Sequence, residues 1–287
     1  MIGKIISIRN GTYVIYKDKV TYNTFITGLF RFKKEHLYVG DDVYFDDDNF
    51  TIKEKLPRKN FLIRPSAANI DQLFIVMSVK EPDFSKLLLY KFLTYANMNN
   101  IKAKVIFTKT DLEFDHEKIE TLIDELKKLE IDCYLLSKDD KTNIGLIKKD
   151  LDNKTSIFMG QTGVGKSSLI NLIDPSYQRQ IGSYSQALGR GKHQTKEIVL
   201  LPYLNGFIGD TPGFSSLELN IYKEDLAQYF PGYQKYFTQC YFSNCLHQNE
   251  KDCNIKKQID NSNLSLDSYK IYLKLLDELQ YKNKRFK

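Results

Sequence analysis

The stretch Gly160-Gln161-Thr162-Gly163-Val164-Gly165-Lys166-Ser167 fits GxxxxGK[ST] at every fixed position. It follows an apolar run, Thr155–Met159, and leads into a helical pattern, Ser167–Ile173. A strand, a glycine-rich loop and a helix in that order make a phosphate cradle. Glycines let the backbone curl around an anion, and successive N–H groups point inward at the helix start. Lys166 is placed to bridge the β- and γ-phosphates, and Ser167 to ligate Mg²⁺. The nucleotide-contacting candidates here are Gly160, Gln161, Thr162, Gly163, Val164, Gly165, Lys166, Ser167 and Ser168. A chance glycine-rich turn would lack the flanking strand and helix.

Outward from this loop the chain alternates. Leu73-Phe74-Ile75-Val76-Met77 is a buried-strand run, and residues 84–98 have helical spacing. Lys104–Phe107 reads as a strand, 117–130 as an amphipathic helix, Ile131–Leu136 as a strand and 144–151 as a short helix. This alternation predicts a mostly parallel sheet with helices on both faces. Residues 1–65 differ, with apolar runs broken by Asn10-Gly11, Gly40-Asp41-Asp42 and Asp46-Asp47-Asp48. The runs Val20–Phe32, Val43–Phe45 and Phe50–Ile52 complete four or five strands, which suggests a small closed barrel such as an OB-fold. Basic residues Lys53, Lys55, Arg58, Lys59 and Arg64 cluster at its end, and the segment around Pro57 and Pro65 reads as a linker. After about residue 215 strands stop. Tyr222–Tyr229 and Tyr269–Tyr281 are helical, on either side of a Cys/His-rich loop. The expected organisation is a multidomain α/β chain. It would have an N-terminal OB-like β-barrel (1–65), an α/β domain around the phosphate loop (66–218) and a C-terminal α-helical domain around the Cys/His-rich loop (219–287).

Two further elements complete a nucleotide site. Asp210-Thr211-Pro212-Gly213 ends an apolar strand, where the Asp210 carboxylate would hold Mg²⁺ through water and the Gly213 N–H would meet the γ-phosphate. Thr108-Lys109-Thr110-Asp111 follows the strand Lys104–Phe107. The Asp111 carboxylate can accept two hydrogen bonds from the guanine N–H edge, with Lys109 packing its stem over the base. Adenine offers no matching donors, so discrimination on the order of 10⁴-fold is within reach. The alternative is a polar loop in which Asp111 caps the next helix. Ser137-Lys138, after the following strand, is placed to support the guanine oxygen. The order is unusual, because the guanine loops precede the phosphate loop. Such a circular permutation is permissible because the ligand loops of a doubly wound sheet all lie at the carboxyl ends of its strands.

The permutation and flanking segments resemble the circularly permuted, small-subunit-dependent GTPases known as RsgA or YjeQ, over essentially the whole chain. The matching residues are Val39-Gly40-Asp41, Ala68-Asn69-Ile70-Asp71-Gln72, Thr108–Asp111, the phosphate loop with Ser168-Leu169-Ile170-Asn171, Gly189-Arg190-Gly191-Lys192-His193, Asp210-Thr211-Pro212-Gly213-Phe214 and the cysteine cluster. The resemblance implies a GTP hydrolase acting late in maturation of the small ribosomal subunit. Its partners would be that subunit with its rRNA and guanine nucleotides. Gly189–Lys196 lies where a first switch loop must be, and Thr195 is the candidate to close on Mg²⁺ and the γ-phosphate. The family usually shows two threonines after the histidine, and Gln194 replaces the first. Ras-like enzymes orient water with a glutamine after DxxG, and Phe214 stands there. Hydrolysis by the isolated chain should therefore be slow and stimulated by the subunit. By resemblance His193 is a candidate to position water, with a structural or RNA-contacting role as the alternative. Lys166, Thr195 and His193 form the catalytic candidates.

Cys240-x₄-Cys245-x-His247-x₅-Cys253 supplies three thiolates and an imidazole, a closed tetrahedral Zn²⁺ set for a structural site. An Fe–S centre more usually takes four thiolates. Tyr233, Tyr236, Phe237, Tyr241 and Phe242 are read as packing around the metal, with stacking on bases as the alternative. Cys133 sits within a strand pattern and reads as a small core hydrophobe.

The 287 residues are 42% apolar and 27% charged, which excludes wholesale disorder. No apolar run reaches the roughly 18–20 residues needed to span a bilayer, and the start shows no signal peptide. A cytoplasmic monomer without a membrane partner is expected. The net charge of +6 permits an RNA partner without requiring one. Two alternatives stay open: a GTP-gated RNA-binding scaffold in which turnover is secondary, and a metal- or metabolite-linked GTPase unrelated to ribosomes.

Overall fold

The computed structural model describes residues 1–32, 35–138, 141–177, 198–211, 213 and 216–284. Strands β1 (Ile2–Arg9), β2 (Thr12–Lys17), β3 (Val20–Ile26), β4 (Asp42–Asp46) and β5 (Thr51–Lys55) close into a barrel in the order β1-β2-β3-β5-β4. Asn10 and Gly11 both take positive φ, 48° and 80°, as a two-residue hairpin turn demands. Ile5, Ile15, Val43, Phe45 and Ile52 fill the interior. Val20–Phe32 is not one strand. β3 stops at Ile26, and Gly28–Phe32 forms a short helix, α1. The reason is local: Thr27 Oγ1 accepts the Phe30 N–H at 3.2 Å, which caps a helical turn and seats Phe30 in the barrel core.

The expected linker is built into the fold. β6 (Phe61–Leu62) pairs antiparallel with β7 (Ala67–Ala68). Arg58 donates to both oxygens of the fully buried Asp41, at 2.6 and 2.8 Å, and to the His36 carbonyl at 2.6 Å. Asn69 donates to the Gly40 carbonyl at 3.0 Å. A Cβ on Gly40 would lie 2.0 Å from the Ala68 oxygen, so only glycine lets the barrel seat here. Lys53, Lys55 and Lys59 pair with Asp46, Glu35 and Asp71. The basic cluster seen in sequence is therefore largely spent on internal partners.

Beyond the barrel, six strands form one sheet: β8 (Gln72–Ser78), β9 (Lys102–Thr108), β10 (Cys133–Leu136), β11 (Thr155–Gly160), β12 (Leu200–Tyr203) and β13 (Gly206–Asp210). Their order is β10-β9-β8-β11-β13-β12, all parallel except β12, which is antiparallel to β13. β8 and β11 are buried at every position, which explains their unbroken apolar runs. Helices α2 (Lys86–Met98) and α3 (His116–Lys128) cover one face. Helices α4 (Lys141–Leu151) and α5 (Lys166–Ile173) cover the other.

The C-terminal segment contributes α6 (Leu226–Tyr229), α7 (Asn254–Asp260) and α8 (Leu266–Lys284). It packs on α2: Tyr90 stacks on Phe230 at 5.3 Å, Lys91 pairs with Glu278 at 2.6 Å, and Asn97 donates to the Tyr229 carbonyl at 2.9 Å. One apolar cluster runs from Ile6 and Val14 of the barrel through α2 to Tyr272 and Leu276 of α8. No helix among the described residues is long and apolar enough to cross a membrane.

Candidate nucleotide site and metal cluster

Five parallel strands end on one edge of the sheet, so the loops that leave them are neighbours. Register fixes the arrangement: Leu136 is opposite Thr108, Thr108 opposite Ser78, Val76 opposite Gly160, and Phe158 opposite Asp210. Residues 108–111, 137–138, 160–167, 210–211 and 213 therefore lie together at this edge, although they are up to about a hundred residues apart in the chain.

Within the phosphate loop, Gly163 and Gly165 take φ of 84° and 93°. A Cβ on Gly160 would lie 2.2 Å from the Val76 oxygen, so a side chain there is excluded by the neighbouring strand. The Lys166 ammonium is buried and donates to the Gly160 and Gln161 carbonyls at 3.0 and 3.1 Å. Burial pushes its pKa down, against the pull of Asp210. Ser167 Oγ donates to Asp210 Oδ2 at 3.1 Å. Burial raises the Asp210 pKa, opposed by Lys166, Ser167 and the Thr211 N–H. Asp210 Oδ1 is buried with no hydrogen-bond partner among the described residues. A hydroxyl and a carboxylate with a spare buried oxygen suit a hard divalent cation, so the residues fit Mg²⁺. Thr211 Oγ1 pins this strand end to the Phe158 carbonyl at 2.9 Å. Gly213 brings its backbone against the phosphate loop, where a Cβ would lie 2.4 Å from Thr162 Oγ1.

The two candidate base loops interlock. Thr110 N–H donates to the Leu136 carbonyl at 3.2 Å, and Lys138 Nζ lies 3.7 Å from Asp111 Oδ2. Thr108 Oγ1 donates to the Val164 carbonyl at 2.6 Å, which ties the base loop to the phosphate loop. Asp111 is not a helix cap: α3 starts at His116, and Asp115 is its cap, accepting the Lys118 N–H at 3.2 Å. The Asp111 carboxylate is thereby left for another task.

Ligand atoms of Cys240, Cys245, His247 and Cys253 all lie within 4.8 Å of one another. Cys240 and Cys253 sulfurs are 4.0 Å apart, and His247 Nδ1 is 3.4 Å from each. Tetrahedral zinc, with Zn–S of about 2.3 Å and Zn–N of about 2.0 Å, requires separations of about 3.8 and 3.5 Å. The donor set therefore fits zinc, through Nδ1 rather than Nε2. Burial pushes the His247 imidazole down to about 4, which keeps it neutral as a ligand must be. Burial also pushes the Cys245 thiol up to about 12. Glu250 shapes the loop by accepting the N–H groups of Leu246, Gln248 and Asn249 at 2.8, 2.8 and 3.0 Å. Tyr269 and Tyr272 of α8 donate to the His247 and Leu246 carbonyls at 2.8 and 3.1 Å.

Residues 55–220 match the RsgA GTPase family model. The chain is 40% identical over 284 residues to the "Small ribosomal subunit biogenesis GTPase RsgA" of Mycoplasmopsis pulmonis, covering 98% of this chain and 100% of that one. It is 38% identical to the RsgA 2 of the same description from Oceanobacillus iheyensis, over 99% of both chains. The chain belongs to the RsgA GTPase family. The solved structure of YjeQ from Thermotoga maritima superposes with a TM-score of 0.84 at 31% identity, covering 97% of this chain and 98% of that one. That of YloQ, a circularly permuted GTPase, gives 0.82 at 32% identity, covering 98% and 95%. This RsgA-family chain is thus a circularly permuted GTPase.

His193, Thr195 and the rest of Gly189–Lys196, with Pro212 and Phe214, lie outside the described residues. Of the five aromatics expected around the metal, Tyr233 is buried, and Tyr236 and Phe237 pack against the core. Tyr241 and Phe242 instead stand out, 79% and 45% exposed, as an edge-to-face pair on the Cys240–Cys245 loop. Val39-Gly40-Asp41 and Ala68–Gln72, the matching segments of the resemblance, form the joint between barrel and sheet. Besides Asn69 and the Asp41–Arg58 pair, Asp71 accepts the Thr155 N–H at 2.7 Å, and Gln72 donates to Ser156 Oγ at 2.9 Å. Sequence reasoning missed the turn after β8, which touches both nucleotide loops and carries no motif.

Proposed function

We propose that this RsgA-family GTPase is a GTP-gated factor for a late step in biogenesis of the small ribosomal subunit. GTP would hold the subunit-binding conformation, and hydrolysis on the subunit would promote release. The observation that carries this is the convergence of 108–111, 160–167, 210–211 and 213 on one sheet edge in permuted order. In this pocket Asp111 accepts the guanine N–H edge, and Ser137 and Lys138 support the guanine oxygen. The N–H groups of Gly160–Ser168 cradle the phosphates, Lys166 turns from the Gly160 and Gln161 carbonyls to the β- and γ-phosphates, and the Gly213 N–H meets the γ-phosphate. Ser167 and Asp210 would hold Mg²⁺, joined by Thr195. The ion's contribution is to neutralise charge on the phosphate oxygens. Phe214 cannot orient water, so turnover is slow until the subunit completes the site, with His193 as the water-positioning group.

The divisions at 65/66 and 218/219 separate an RNA-binding barrel, the GTPase domain and a domain stapled by one structural zinc. The chain runs from Gly213 into the zinc segment, and α2 packs directly on it. Loss of the γ-phosphate thus has a short route to that segment. The exposed Tyr241–Phe242 pair supports rRNA contact, since exposed aromatics stack on unpaired bases. The test is GTP turnover alone and with purified small subunits, large subunits or free RNA. Stimulation confined to small subunits is the expected outcome. Binding without stimulation would favour the scaffold alternative, and neither effect would point to a GTPase acting away from ribosomes.

A further inference from the structure

β8 ends in Ser78, which is buried, and its hydroxyl donates to the Pro82 carbonyl at 2.6 Å. That bond latches a five-residue turn, Ser78–Pro82, between the two halves of the nucleotide crevice. On one side the Lys109 ammonium donates to the Glu81 carbonyl. On the other, Pro82 Cδ lies 3.7 Å from where a Cβ on Gly163 would stand. The base of the turn is fastened as well, because the Val79 N–H donates to the Thr108 carbonyl at 3.1 Å. Lys109 and Glu81 both take left-handed φ, 62° and 58°. Non-glycine residues persist there only where the surroundings hold them, and such positions cluster at ligand sites.

We propose that Ser78 is a positioning residue for the guanine base. It fixes the turn whose Glu81 carbonyl holds the Lys109 ammonium, and so fixes the Lys109 stem against the base plane. This rests on 108–111 being the guanine loop. Among the described residues no hydrogen bond or ion pair joins the turn to the phosphate loop, whereas the Glu81 carbonyl is bonded to Lys109, so losing the latch affects binding of the base rather than the chemical step. An interaction made equally with bound substrate and transition state changes KM and leaves kcat in place.

The experiment uses the full chain and the variants Ser78→Ala, Lys109→Met and the double variant. GTP turnover and GDP calorimetry are measured on each. Ser78→Ala should raise the KM for GTP and the Kd for GDP about tenfold, the equivalent of one hydrogen bond, with kcat unchanged. Lys109→Met keeps a stem but removes the ammonium, and should raise both by at least as much. The double variant should be no worse than Lys109→Met, because Ser78 acts through Lys109. Losses that multiply in the double variant, an unchanged KM in Ser78→Ala, or a fall in kcat instead, would each overturn the proposal. A wild-type chain that binds no GDP would remove the guanine loop assignment and this proposal together. Normal wild-type binding beside an unaffected Ser78→Ala would remove only the role of Ser78.

Discussion

Gly213→Ala tests the close approach of Gly213 to the phosphate loop. The added methyl would lie 2.4 Å from Thr162 Oγ1, 2.6 Å from Thr162 Cα and 2.8 Å from Thr162 N. The hydroxyl can rotate aside, but Cα and N are phosphate-loop backbone. Moving the methyl from 2.6 Å to the 3.4 Å at which ordinary contact begins separates the two loops by about 0.8 Å. A hydrogen bond from the Gly213 N–H to the γ-phosphate has a working range of roughly 2.7–3.2 Å, and that displacement carries it outside. Misplacement of about 1 Å costs on the order of 100-fold in rate. GDP has no γ-phosphate, so its affinity should change by no more than about twofold. Single-turnover hydrolysis at saturating GTP, with GDP calorimetry on the same sample, reads both quantities. Hydrolysis within about threefold of wild type would refute the close approach. An equal loss of GDP affinity would refute the assignment of Gly213 to the γ-phosphate.

Asp111→Asn should move preference from GTP toward xanthosine triphosphate, with GTP discrimination falling on the order of 10⁴-fold; competition binding with both nucleotides checks it, and an unchanged base preference counts against Asp111. Arg58→Met strips the partner from the fully buried Asp41. Because the guanidinium is partly exposed and the Tyr38 N–H still binds Asp41 at 2.8 Å, the cost falls at the low end for a broken buried pair, about 3 kcal/mol. That corresponds to about 6–12 °C in the melting temperature by circular dichroism, and Asp41→Asn added to Arg58→Met should recover part of it. At the metal cluster, the folded His247 imidazole is held at about 4 against an ordinary 6.5. Between those values the unfolded chain binds more protons, so stability is intact above 6.5 and is lost as pH falls toward 4. Zinc binding needs a neutral imidazole and thiolates, so zinc release followed with a colorimetric chelator should grow as pH falls, and full retention at pH 4 would argue against His247 as a ligand.

The nucleotide loops were legible because a phosphate cradle needs glycines and a lysine at fixed spacing, and each motif abuts its own strand. The Cys/His cluster was legible for a similar reason: four donors suited to a metal stand within fourteen residues, and the fold brings them together. Local signals failed where partners are distant. Thr27 ends β3 one residue after Ile26, and hydroxyl caps do not stand out inside an apolar run. Lys53, Lys55, Arg58 and Lys59 read as a basic cluster until Asp46, Glu35, Asp41 and Asp71 are seen beside them. Tyr241 and Phe242 share the composition of the buried Tyr233, and only the folded loop separates outward from inward.

From the sequence alone came the chemistry on offer: a phosphate-loop motif, a carboxylate suited to a guanine edge, a Cys/His set suited to a metal, and their permuted order. Parallel pairing decided which of these meet, because it puts the ends of β8, β9, β10, β11 and β13 on one edge. The same pairing set Ser78 beside Thr108 and so placed a motif-free turn between base and phosphates. Side-chain spacing along a chain reports local periodicity, whereas a contact between strands depends on register, which only the assembled sheet fixes.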